Sequence, residues 1–82
     1  MRTQFSGREV AKVLINYWNY DPAGRTGSHA KFRWEAPNTS EVRMVVVPMT
    51  TDPLPEGTLR SIANQCGAKS FRRFCKELDR CL

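Results

Sequence analysis

The segment HAKFRWE, His29 to Glu35, constrains this chain more than any other. Ala30, Phe32 and Trp34 alternate with His29, Lys31 and Arg33. A period of two is the pattern of a half-buried β-strand. A slip of one residue would turn the whole apolar set towards water, so the register of such a strand is strongly specified. The turn-forming run APNTSE follows, and then VRMVVVP, which is β-branched and closes at Pro48. Together they predict an antiparallel hairpin with one apolar face.

That face needs a cover, and three helical patterns supply one. Ser6 and Glu9 are spaced as a capping box. Val10, Val13, Leu14, Tyr17 and Trp18 then recur on one helical face, which predicts a first helix over residues 6–18. The stretch NYDPAGRTGS reads as a short strand near Tyr20 to Arg25 ending in a turn. Its Pro22 is tolerated only at an edge or a bulge. After the loop MTTDPLPEG, Leu59, Ile62, Ala63 and Cys66 follow helical spacing, with Pro55 and Glu56 in the first turn and Gly67 as a stop. A third helix, capped by Ser70, carries Phe71, Phe74, Cys75 and Leu78 on one side and Arg72, Arg73, Lys76 and Arg80 on the other. The order α-β-β-β-α-α, without β-α-β alternation, predicts an α+β fold with helices on one face of a three-stranded antiparallel sheet. The other face is left uncovered.

A chain of 82 residues is expected to form one domain, residues 1–82. It buries only about 60% of its unfolded surface, which leaves little room to engulf a substrate. A large substrate read from outside suits it better. Thirteen Lys and Arg against eight Asp and Glu give a formal charge of +5. That is compatible with an ordinary solvated surface and with attraction to phosphate or an acidic protein. The three cysteines, Cys66, Cys75 and Cys81, contain no CxxC pair and lie far from the lone histidine, so no metal site and no cofactor are expected. Cys66 and Cys75 read as small buried hydrophobes in a reducing compartment. The N-terminus lacks an apolar leader, and no apolar run approaches the ~20 residues of a membrane span. The expectation is a soluble, cytoplasmic protein without a membrane partner.

A free sheet face with a basic row and one histidine suggests a surface that handles a polyanion, and RNA is one to consider. Metal-free RNA cleavage needs a base for the 2′-hydroxyl proton, an acid for the leaving 5′-oxygen, and cations on the phosphate. Histidine suits either proton role, since an unperturbed imidazole titrates near ~6.5. Lys31 and Arg33 share the face of His29 and can hold phosphate. Ser28 can orient the ring or bond the phosphate, and Gly27 permits close approach. Two plainer readings stand beside this one. A histidine at a strand start is also what a solvated position without a role looks like, and an alternating basic row is also an ordinary wet sheet face. Tyr17, Trp18 and Trp34 sit on expected core faces and read as packing, not as a platform for bases.

Four stretches in order resemble the HicA toxin family: SGREVAKVL at Ser6 to Leu14, GSH at 27–29, VVVP at 45–48 and GTLRSIANQCGA at 57–68. The C-terminal SFRRFCKEL is similar to the family's closing helix, so the resemblance covers nearly the whole chain. It implies a double-stranded-RNA-binding-domain-like α-β-β-β-α fold with an extra C-terminal helix. It implies a toxin that cleaves mRNA, with His29 as the catalytic residue, and a HicB-like antitoxin that covers the active face. On that reading Arg25, Lys31 and Arg33 neutralise phosphate, while Gly27 and Ser28 shape the site. The chain departs from the family at two places. Thr50 stands where relatives often carry a second histidine, and AGRTG holds only Arg25 where many have a basic run. Lys31, Arg25 or water must then supply the second proton role. The rival readings are an RNA-binding module that does not cut, and a degenerate toxin that acts only through protein partners.

Overall fold

The computed structural model describes residues 2–82. Ser6 starts helix α1 (Gly7–Asn16) through both halves of the expected capping box. Its hydroxyl accepts from the Glu9 amide at 3.1 Å, and the Glu9 carboxylate accepts from the Ser6 amide at 2.9 Å. Val10, Ala11, Val13 and Leu14 form the buried side. The helix stops two residues earlier than its apolar spacing predicts. The amides of Tyr17 and Trp18 both donate to the Val13 carbonyl, and Asn19 then takes a left-handed φ of 61°. Asparagine tolerates that conformation better than most residues. The turn leaves Trp18 half-buried and brings Tyr17, expected in the core, out to 55% exposure.

Strands β1 (Asp21–Thr26), β2 (His29–Glu35) and β3 (Val42–Pro48) form one antiparallel sheet in the order β1-β2-β3. The short strand therefore exists, one residue later than expected. Pro22 lies at a register break between Pro22 and Gly24 on an edge strand, where its missing N–H costs least. The alternation of β2 holds: Ala30 and Phe32 are buried and Trp34 is half-buried. Across the ladder Ala30 faces Val47 and Phe32 faces Val45, all on the helix side. His29 faces Pro48, Lys31 faces Val46 and Arg33 faces Met44 on the open side.

Helices α2 (Glu56–Gln65) and α3 (Phe71–Cys81) complete the cover. Gly67 takes φ 74° just beyond α2, as a stop residue should. The Ser70 hydroxyl caps α3 by accepting from the Arg73 amide at 3.2 Å. Leu59, Ile62, Phe74, Cys75 and Leu78 join Phe5, Leu14 and Val45 in one buried cluster. Cys66 and Cys75 are buried and unpaired, in keeping with a packing role. The fold is α+β with a three-stranded antiparallel sheet, as the element order predicts.

One contact fixes how α1 meets the sheet. A Cβ on Gly7 would lie 1.6 Å from the carbonyl oxygen of Pro48. The helix start thus rests directly on the backbone at the end of β3. Gly7→Ala is expected to pry the two apart and to cost about 1–3 kcal/mol or more. A urea midpoint lowered with an unchanged slope would register that loss; an unchanged midpoint would contradict the close approach.

Arg2 adds a pH-sensitive clasp. Its guanidinium pairs with Glu9 and holds that carboxyl below the usual carboxylate range, helped by the Ser6 amide. The folded form therefore takes up this proton less readily than the unfolded chain. The stabilisation is complete above the ordinary glutamate range and fades as pH falls through the lower folded value. Glu9→Gln should flatten the acid side of the stability–pH curve below about pH 4.5, while an acid limb of unaltered steepness would assign acid sensitivity to other groups.

Candidate active site

His29 follows a two-residue turn. Thr26 pairs with His29, which leaves Gly27 and Ser28 as the loop. Gly27 takes φ 59°, whereas Ser28 stays out of the left-handed region. A positive φ at the first loop residue alone is the type II′ hairpin turn, where glycine is preferred. The Gly-Ser pair is thus needed by the backbone whatever else it does. The Ser28 carbonyl accepts from the Met49 amide at 2.7 Å, so the turn is tied to the chain leaving β3. His29 sits between Thr26 and Pro48 in the ladder, exposed, on the side opposite Ala30 and Phe32.

Lys31 is the next residue on that side, about 6.6 Å along the strand. Arg33 follows, but its Nη1 lies 3.0 Å from Glu35 Oε2, so part of its charge is balanced within the row. Arg25 does not join them. It pairs with Ala30 and therefore borders the helix side of the sheet. Its Nε donates to the Gly27 carbonyl at 3.2 Å, bracing the turn from the other side.

The cations gather instead at the β1 edge. A groove of about 500 Å³ runs between α1 and β1, rimmed by Arg8, Lys12, Arg25 and Lys31 over a floor that includes Ala11, Ala30, Phe32 and Met49. Among the described residues, no acidic one lines it, and none of these four cations is in an ion pair. Lys31 borders the groove although it lies on the open face; Gly24, its partner in the ladder, has no side chain to intervene. Arg8 and Lys12 escape a reading of α1 that follows its apolar stripe. Their i,i+4 spacing on the opposite side is the signal that could have found them.

Thr50 has a different occupation from a second imidazole. Its hydroxyl accepts from the Gly7 amide at 3.0 Å and donates to the Asp52 carbonyl at 2.8 Å. Its own carbonyl accepts from the Arg8 amide at 3.1 Å. This residue holds the start of α1 against the end of β3. Among the described residues, no three or more His, Cys, Asp or Glu side chains converge as metal ligands, and no helix is long and apolar enough to cross a membrane.

A family model described as HicA toxin of bacterial toxin-antitoxin matches residues 7–68. The chain belongs to the HicA toxin family. The matched span takes in α1, the Gly27–Ser28 turn, His29, the groove, Thr50 and α2, while α3 lies beyond it. No curated protein and no solved structure matches. Membership makes this HicA chain the toxin of a toxin–antitoxin system and implies an antitoxin partner.

The groove makes a quantitative prediction. In this HicA chain each cation that neutralises an RNA phosphate should steepen the fall of affinity with salt by somewhat under one logarithmic unit per unit. Arg8→Glu with Lys12→Glu should weaken RNA binding at low salt and reduce that slope by about 1–2. An anisotropy titration with the same slope as wild type would remove α1 from the binding surface.

Proposed function

We propose that this HicA toxin is an endoribonuclease that cuts mRNA in the cytoplasm, with His29 as its catalytic residue. The observation that carries the reading is the position of His29: exposed at the start of β2 on the open face, where the next residue on that face, Lys31, also borders the groove rimmed by cations. Phosphate along the groove would be held by Arg8, Lys12 and Arg25, with Lys31 nearest to the histidine in sequence on its own face. Gly27 and Ser28 set the turn that presents the ring.

The chemistry needs two proton transfers. His29 takes the proton from the 2′-hydroxyl, and the freed oxygen attacks the adjacent phosphorus. The bond from phosphorus to the 5′-oxygen breaks as that oxygen receives a proton from Lys31 or water. Lysine and arginine stabilise the charge that builds on the phosphoryl oxygens. The products are a 2′,3′-cyclic phosphate and a 5′-hydroxyl. A HicB-like antitoxin would inhibit by covering His29, with no conformational change required.

The occupation of Thr50 favours a second reading. With that position spent on helix docking, the chain has a single imidazole, and it could grip RNA without cutting it. His29→Ala separates the two. The catalyst should lose cleavage by about 10²–10⁴-fold, lose growth arrest on expression, and keep its fold and RNA affinity. A variant that cuts as well as wild type would refute the assignment. Cleavage by the wild-type protein should also survive EDTA; its abolition would replace this mechanism with a metal-dependent one.

A further inference from the structure

A larger cavity lies away from His29. It encloses about 570 Å³ between α3, the turn after α2, and the far end of the sheet. That volume lies in the range of small-ligand sites. Both tryptophans of the chain, Trp18 and Trp34, line it and both remain half-buried, whereas the core phenylalanines Phe5, Phe32 and Phe74 are buried. The packing role expected of these indoles is therefore incomplete. Trp18 leans on Phe74 with ring centres 5.5 Å apart, and Trp34 lies 6.5 Å from Tyr20. Indole surface left open in a cavity is a stacking platform for a flat ring.

Cations surround that platform. The Arg43 guanidinium sits 4.6 Å over the Trp34 ring and is pinned by Glu41 at 2.8 Å and by the Cys66 carbonyl at 2.6 Å. Lys69 and Arg73 line the cavity too and, among the described residues, enter no ion pair. The first turn of the 11-residue helix α3 borders the same space, adding its partial positive charge. The one acid in the lining, among the described residues, is Glu77, which is paired with Arg80 at 3.0 Å. Flat apolar surface beside uncompensated positive charge selects a flat ring that carries an anion.

We propose that this cavity binds a nucleoside monophosphate unit with an unpaired base, the base lying against the indole surface that Arg43 and Phe74 leave uncovered and the phosphate meeting Arg73 and Lys69. The idea rests on the RNA reading for its natural source, because the cavity lies at the other end of β2 from the His29 turn. Ala30 and Phe32 floor the groove, and Trp34 is the next residue on the same face; Pro22 and Tyr20 repeat the relation on the β1 side. An RNA held at the His29 end of the sheet would pass around the α1–β1 connection, where Tyr20 is buried, to reach the tryptophans. A paired base cannot stack there, so the cavity would select single-stranded RNA around the cut. Lys69, Arg73 and Glu77 lie outside the span matched by the family model.

Because both tryptophans line the cavity, intrinsic fluorescence reports its occupancy. His29→Ala protein, which leaves RNA uncut, is titrated with a short single-stranded RNA, its duplex, 5′-AMP and inorganic phosphate. Single-stranded RNA and AMP should quench the emission, while duplex and phosphate should not. RNA binding much tighter than AMP places the source in a strand; equal affinities place it in free nucleotide. Arg73→Glu, on the exposed surface, should weaken quenching by about tenfold or more, the scale of one lost charge-assisted contact, and Lys69→Ala by less. No quenching by either nucleotide ligand, equal quenching by duplex, or indifference to Arg73→Glu would overturn the proposal. Cleavage by wild-type protein is scored separately. Cleavage without quenching sinks the cavity alone, and quenching with no cleavage sinks the nuclease alone.

Discussion

The arrangement depends on one steric fact, the bare backbone of Gly7 lying against the carbonyl of Pro48. With no side chain between them, helix and strand come close enough for Thr50 to bond both Gly7 and Arg8. The same strand end is where β3 meets His29, and Met49 reaches the carbonyl of Ser28 from there. Helix start, strand end and the turn before His29 are thus fastened within a few residues of Pro48. Any side chain at position 7 would loosen all three together. The glycine after Ser6 therefore matters as much to the site as the glycine two residues before the histidine.

The uncovered sheet face carries less positive charge than its sequence suggests. Arg33 is partly cancelled by Glu35, and β3 contributes the apolar residues Val42, Met44, Val46 and Pro48 to that side. At the β1 edge, by contrast, cations arrive from a helix and two strands with no carboxylate among them. An edge strand allows this because it has no neighbour beyond it, and the Gly24 bulge opens the edge further. Charges in a concave site between low-dielectric walls focus their field more strongly than the same charges spread over a flat surface. The mixed open face then suits a protein partner better than a polyanion, since exposed Met44 and Val42 gain nothing from phosphate.

Much of this was legible from residue order. The alternation in β2, the capping box and the proline at the bulge are local patterns with local causes, and each one led to the right element. The uncovered side of His29 followed from the same alternation. Tyr17 misled because apolar spacing continues past the point where the backbone turns at Asn19. The face on which Arg25 lies was harder to read. Counting back across a two-residue loop sets it opposite Ala30 and hence on the helix side, but the loop length is decided by the φ of Gly27, which residue types alone leave open. The groove was invisible because it is made by the approach of α1 to β1, and periodicity within either element says nothing about that.

The two tryptophans illustrate a limit on reading apolar residues as core. Helical spacing and strand alternation tell which side of an element faces inward, not whether anything fills the space it faces. Trp34 does point with Ala30 and Phe32, and Trp18 does pack on Phe74. Beyond Phe32, however, Trp34 faces Ser70, Arg73, Phe74 and Glu77 of the α3 region across an open cavity. A cavity at such a corner would normally be closed by a large aliphatic side chain or opened to water by polar ones. Here it is walled by indoles and arginine, residues whose exposed surface attracts planar ligands. The histidine and the groove lie within the span matched by the family model, and α3, which walls the sheet corner, lies beyond it.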